Sequence, residues 1–178
     1  MRKRHILFFV LLLLVVVDQV SKHWVEAVLP YGQPLSLLPF FSLYRTHNTG
    51  IAFSMLNEFG ATGLVIMTII IICLVLVLWS RVPRDQQLAH IGFALVIAGA
   101  VGNLIDRATL GYVVDFLMVH TQTWSFAVFN LADSFITIGA VAIIIDELFS
   151  LRKGAATTTT PKPKPKLEGG DDAPGPSA

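Results

Sequence analysis

Four stretches of the chain stay apolar for about the length that a bilayer requires. A hydrocarbon core of about 30 Å takes about 20 residues of helix. Ala61 to Trp79 holds no charge at all. Ile6 to about Val28 is unbroken and apolar as far as Val17, then meets Asp18 and Lys22. Leu88 to about Ile105 is apolar and rich in small residues, interrupted by His90 and Asn103. Leu131 to Leu148 is apolar except for Asp133 and, at its far end, Asp146 and Glu147. The pattern predicts an all-α membrane protein with four transmembrane helices. Between the first two spans, Phe40–Thr46 and Ile51–Met55 flank His47-Asn48-Thr49-Gly50, which reads as strand, turn, strand. Leu35 to Phe53 is too apolar for a free loop and too short to span, so a small sheet at the membrane surface is expected. The connection from Val113 to Asn130 carries Trp124, Phe126 and Phe129, side chains suited to a membrane interface.

After Lys153 the pattern stops. Residues 154–178 hold four successive Thr, a Pro-Lys alternation and a Gly/Asp/Pro-rich end, which cannot build a core. We expect a transmembrane domain over residues 1–153 and a disordered cytoplasmic tail over 154–178.

Composition sharpens this picture. The 178 residues are 54% hydrophobic and 14% charged, against roughly 25% charged in soluble domains. Of the 13 Lys and Arg and 12 Asp and Glu, six lie after Thr160, which leaves 19 for the first 153 residues. So few charges exclude a soluble enzyme, a disordered protein and a nucleic-acid binder. One cysteine, Cys73, excludes a disulfide scaffold and a cysteine-based metal cluster. Arg2, Lys3, Arg4, Arg81, Arg84, Arg152 and Lys153 fall on one side of four spans. By the positive-inside rule both termini are then cytoplasmic, and the other two connections face outward. Val17-Asp18-Gln19-Val20 offers no small-residue cleavage site, so the first span is expected to be an uncleaved anchor.

Candidate chemistry lies in the polar residues within or beside the spans, each of which needs a partner or a task. Asp18 and Lys22 are four apart, acid first, on one helix face. They read as a structural ion pair or as substrate-positioning groups. Gly99, Asn103 and Arg107 also recur at four-residue spacing. They are either a packing face with one bridging asparagine or part of a site. Asp133 lies three residues after Asn130, where it resembles a capping-box acid. Taken alone, capping is the better reading of Asp133, and Asp115 alone is a loop acid. Together they lie at one membrane level, at the ends of two consecutive helices. Two carboxylates sharing a partly dehydrated site cannot both ionise easily, which is equipment for activating water and protonating a leaving amine. His5, His23, His47, His90 and His120 show no metal-ligand spacing, and no serine sits in G-x-S-x-G.

At these residues the chain resembles the bacterial signal peptidase II family of intramembrane aspartyl proteases, across about residues 5 to 150. The resemblance rests on Asp18-Gln19-x-x-Lys22; Asn48-x-Gly50-x-Ala52-Phe53; Gly99-x-x-Gly102-Asn103-x-x-Asp106-Arg107; Val113-Val114-Asp115-Phe116; and Phe129-Asn130-x-Ala132-Asp133-Ser134. The family often has two adjacent glycines in the third motif; here the first is Ala98. The resemblance implies four transmembrane helices, a small extracytoplasmic β-cradle and a short extracytoplasmic helix that clamps substrate. It implies an aspartic endopeptidase of the inner membrane, its active site facing outward. Its substrates would be prolipoproteins already carrying diacylglycerol, cut just before the lipidated cysteine. Asp115 and Asp133 would be the catalytic pair. Asn48, Gly50, Gly99, Asn103, Arg107 and Asn130 would line the pocket, with Asp18 and Lys22 in support. No metal or cofactor is expected, and the expected state is a monomer among membrane lipids. A small transporter or channel subunit is the alternative. Against it, the polar residues cluster at one level and the second span has none.

Overall fold

The computed structural model describes residues 2–50 and 60–157, with side chains over 5–50 and 62–152. Helix α1 (Arg2–Val28) leads into strands β1 (Pro34–Leu38) and β2 (Phe41–Asn48). Helices α2 (Gly60–Ser80) and α3 (Gln87–Thr109) follow, then strand β3 (Val113–Val119) and helix α4 (Leu131–Thr157). All four helices are long and apolar enough to cross a membrane, and the chain is a multi-pass membrane protein.

Helix α3 is the hub, packing against α1, α2 and most extensively α4. Small residues make this possible. Ala89, Gly92, Ala94, Ala98, Gly99 and Gly102 are all buried on α3. A Cβ on Gly92 would lie 2.7 Å from the Gly139 carbonyl oxygen, and one on Gly139 would lie 2.6 Å from that of Gly92. The backbones of α3 and α4 therefore meet directly. By contrast only 6% of the α2 span is buried. Its Ile and Leu side chains face outward as a lipid-exposed surface would.

The C-terminal ends of α3 and α4 extend past the apolar runs. The sequence pattern stops α3 at about Ile105, but the helix continues to Thr109. The polar last turn is held because Asp106 is buried against Lys22 and the Thr109 hydroxyl donates to the Ile105 carbonyl at 2.7 Å. Gly111, at φ +82°, then turns the chain, its N–H donating to the Arg107 carbonyl. Helix α4 continues to Thr157, so residues 154–157 are helical where a disordered tail is expected.

The sheet is antiparallel in the order β1-β2-β3. The expected turn at His47 and Asn48 is strand instead, because these residues pair with Val114 and Val113 of β3. The second strand expected over Ile51–Met55 lies outside the described residues. The connection expected to supply the clamping helix forms β3 and a loop, and no short helix occurs among the described residues. Val25 of α1 and Leu29 just after it pack with Val114 and Phe116 of β3, which fastens the sheet to the bundle.

Candidate active site

The site forms where α1, the last turns of α3, β3 and the first turn of α4 converge. Its foundation is a charge cluster. Lys22 Nζ lies 2.9 Å from Asp18 Oδ2 and 3.0 Å from Asp106 Oδ2. It also donates to Asn103 Oδ1 at 3.0 Å. Asp18 and Lys22 are 0% and 2% exposed, so the Lys22 amine sits between two carboxylates inside the protein. Each carboxylate also holds a backbone. Asp18 Oδ1 accepts the Ala132 N–H of α4 at 2.9 Å, and Asp106 Oδ2 accepts the Val114 N–H of β3 at 3.1 Å. Gln19 bridges the remainder, donating to Asp106 Oδ1 at 2.9 Å and to the Gly102 carbonyl at 3.1 Å. A Cβ on Gly102 would come within 2.5 Å of Asp18 Oδ2, so glycine admits the carboxylate there.

Above this cluster two asparagines join the two candidate acids. Asn130 Nδ2 donates to Asp115 Oδ1 at 2.6 Å and to Asn103 Oδ1 at 3.2 Å. Asn103 Nδ2 donates to Asp133 Oδ1 at 2.8 Å. Asn48 Nδ2 completes the set by donating to Asp115 Oδ2 at 3.0 Å. The capping reading of Asp133 also holds. Asp133 N–H donates to Asn130 Oδ1 at 3.0 Å, and Asn130 N–H donates to Asp133 Oδ2 at 3.2 Å. Capping and site membership coexist, because the two Asp133 oxygens serve different partners.

Asp115 is buried while Asp133 is half-buried. Burial, and next the Asp133 charge, push the Asp115 carboxyl up to about 6. Hydrogen bonds from Asn48 and Asn130, and the charge of Lys22, pull the other way. The Arg107 guanidinium is half-buried within electrostatic reach of Asp133, Asp115 and Asp106. Its Nε has no hydrogen-bond partner among the described residues.

Two glycines of the expected set act on backbone geometry. Gly50 takes φ +85° and donates its N–H to Asn48 Oδ1 at 2.9 Å, which orients the asparagine amide toward Asp115. Gly99 is buried where a Cβ would strike the Ala132 carbonyl oxygen. Every expected site residue thus belongs to this convergence or directly supports it. Asp106 and Gln19 were absent from the expected set although Asp106 is 2% exposed. Their signal was the spacing of Asp106 from Asn103 on one face of α3, and the adjacency of Gln19 to Asp18.

The sequence profile described as "Signal peptidase (SPase) II" matches residues 10–149. A "Lipoprotein signal peptidase" of Sinorhizobium fredii is 52% identical over 143 residues, covering 80% of this chain and 86% of that protein. The protein of the same name from Brucella ovis is 53% identical over 154 residues, covering 85% and 96%. A solved structure of a bacterial membrane enzyme superposes with a TM-score of 0.74 at 31% identity, covering 81% of this chain and 93% of that one.

Proposed function

Because the chain belongs to the signal peptidase II family, we propose that it is an aspartic endopeptidase acting on diacylglyceryl-modified prolipoproteins. It cuts just before the lipidated cysteine, at the outer face of the bacterial inner membrane, with Asp115 and Asp133 as its catalytic pair. The observation that carries this reading is the joining of two carboxylates through Asn103 and Asn130, with one carboxyl raised to about 6.

The chemistry needs one proton shared by the pair. The ionised Asp takes a proton from water as the water oxygen attacks the scissile carbonyl carbon. The protonated Asp gives its proton to the carbonyl oxygen, producing a gem-diol. On collapse one diol hydroxyl returns its proton to a carboxylate, the other Asp protonates the amide nitrogen, and the C–N bond breaks. The products are a free carboxyl and an amine. Arg107 lies where its charge offsets the carboxylates.

The test is cleavage of a lipidated precursor peptide in detergent micelles. Asp115→Asn and Asp133→Asn should each lower turnover by at least about 10³-fold while leaving a folded protein, because asparagine cannot relay the proton. Near wild-type turnover in either variant removes that residue from the mechanism. The same peptide with an unmodified cysteine should turn over far more slowly at saturation. Equal turnover would make this a general membrane aspartyl protease.

A further inference from the structure

Strand β2 carries one residue too many for its partner. From Leu43 to Thr46 it takes three steps where β3 takes two, from Leu117 to Asp115. This bulge decides which face each later β2 residue presents, since a slip of one residue turns every side chain over. Past the bulge, Asn48 faces Asp115 and donates to it, while the adjacent His47 points to the opposite face, as alternation requires, and Arg45, within the bulge, reaches the same Glu26 as His47.

On that opposite face one carboxylate collects both. Glu26, near the end of α1, accepts from His47 Nε2 at 2.7 Å through Oε1. It meets Arg45 at 3.1 Å through Oε2. Arg45 also donates to the Glu26 and Leu29 carbonyls at 2.8 and 3.0 Å. The imidazole of His47 stacks on Tyr112, with centroids 3.9 Å apart and planes at 19°. Tyr112 immediately precedes β3, the strand of Asp115. Glu26 touches neither Asp115 nor Asp133.

We propose that Glu26 is a positioning residue. By gripping Arg45 and His47 it locks the bulged register of β2, and so holds Asn48 on Asp115. The role rests on the reading of Asp115 as catalytic. It also gives His47 a task that metal-ligand spacing does not.

The test is a double-mutant cycle on the full chain with a lipidated precursor peptide. Glu26→Ala should lower kcat about tenfold with KM little changed, the size expected for a loosened catalytic contact. Loss of the Asn48 hydrogen bond moves Asp115 further up, so its limb of the pH–rate profile should shift to higher pH. Asp133, Lys22 and Arg107, which also face Asp115, are unchanged in these variants. Glu26→Gln keeps an acceptor and should restore most of the turnover. The Glu26→Ala/Asn48→Ala double variant should be no slower than Asn48→Ala alone, within about twofold. Multiplying effects, or a pH limb that stays in place, would overturn the role. If Glu26→Ala does not fold, His47→Ala, which frees β2 from the same carboxylate, carries the same cycle and the same two criteria. Asp115→Asn run alongside separates the failures: if it turns over, the dyad reading falls; if it is inactive while the cycle multiplies, only the role of Glu26 falls.

Discussion

Burial raises the free energy of an ionised carboxylate, and Asp115 is 2% exposed with the Asp133 charge nearby. Its carboxyl is pushed up to about 6 in the fold from the 3.8 usual for aspartate. A carboxyl raised in the folded state favours folding when protonated. That contribution is present in full below about pH 4 and is lost as pH rises through about 6. Asp115→Asn has no such proton to lose. The stability difference between variant and wild type should therefore move in the variant's favour between about pH 4 and pH 7, by up to about 3 kcal/mol. Unfolding midpoints measured across that range check this, and a difference independent of pH would show that Asp115 is not strained by its surroundings. On the proposed mechanism the same strain is useful, since a proton held near neutrality can be both taken and returned.

At the scale of elements, the approach of α3 to α4 sets the distance between Asn103 and Asp133. Ala98 is fully buried and its Cβ is accommodated, whereas a Cβ on Gly99 would meet the Ala132 backbone. A backbone cannot swing aside as a side-chain tip can. Gly99→Ala should therefore destabilise the fold by about 1–2 kcal/mol, overpacking outweighing the better helix propensity of alanine. Turnover should also fall about tenfold or more as the Asn130–Asp133 turn is pushed from Asn103. A variant with wild-type melting and turnover would show that the two helices separate freely. The four helices were legible because bilayer length and hydropathy act on each segment alone. The Asp18–Lys22 pair and the Asn130–Asp133 cap were legible because they are local, at four- and three-residue spacing. The third strand was not, since Val113–Val119 is placed in the sheet by pairing with β2, some 70 residues earlier in the chain. The role of Asp106 was not legible for the same reason, although the residue stands in the third motif and on the Asn103 face. Its partners Gln19 and Lys22 are 87 and 84 positions away, and no local pattern announces them.

For the whole molecule, the polar network and the sheet occupy one end of the bundle, at the C-terminal ends of α1 and α3 and the N-terminal end of α4. Exposed Arg81, Arg84 and Arg152 lie at the opposite end, on the α2–α3 connection and the far part of α4. Arg45 and Lys22, at the network end, are engaged by Glu26 and by Asp18 and Asp106. From the asymmetry of exposed cations and the positive-inside rule we propose that the α2–α3 connection lies in the cytoplasm and that Asp115 and Asp133 face outward. Thiol labelling of intact cells can read this directly. Cys73 is the one cysteine of the chain and lies within α2, so Cys73→Ser gives a clean background. In that background Gln122→Cys should react with a membrane-impermeant maleimide, and Asp85→Cys should react only after the membrane is breached. The reverse pattern would place Asp115 and Asp133 on the cytoplasmic side. The precursor would then have to be cut before its mature part crossed the membrane, which is incompatible with a peptidase that acts on exported, lipid-bearing chains.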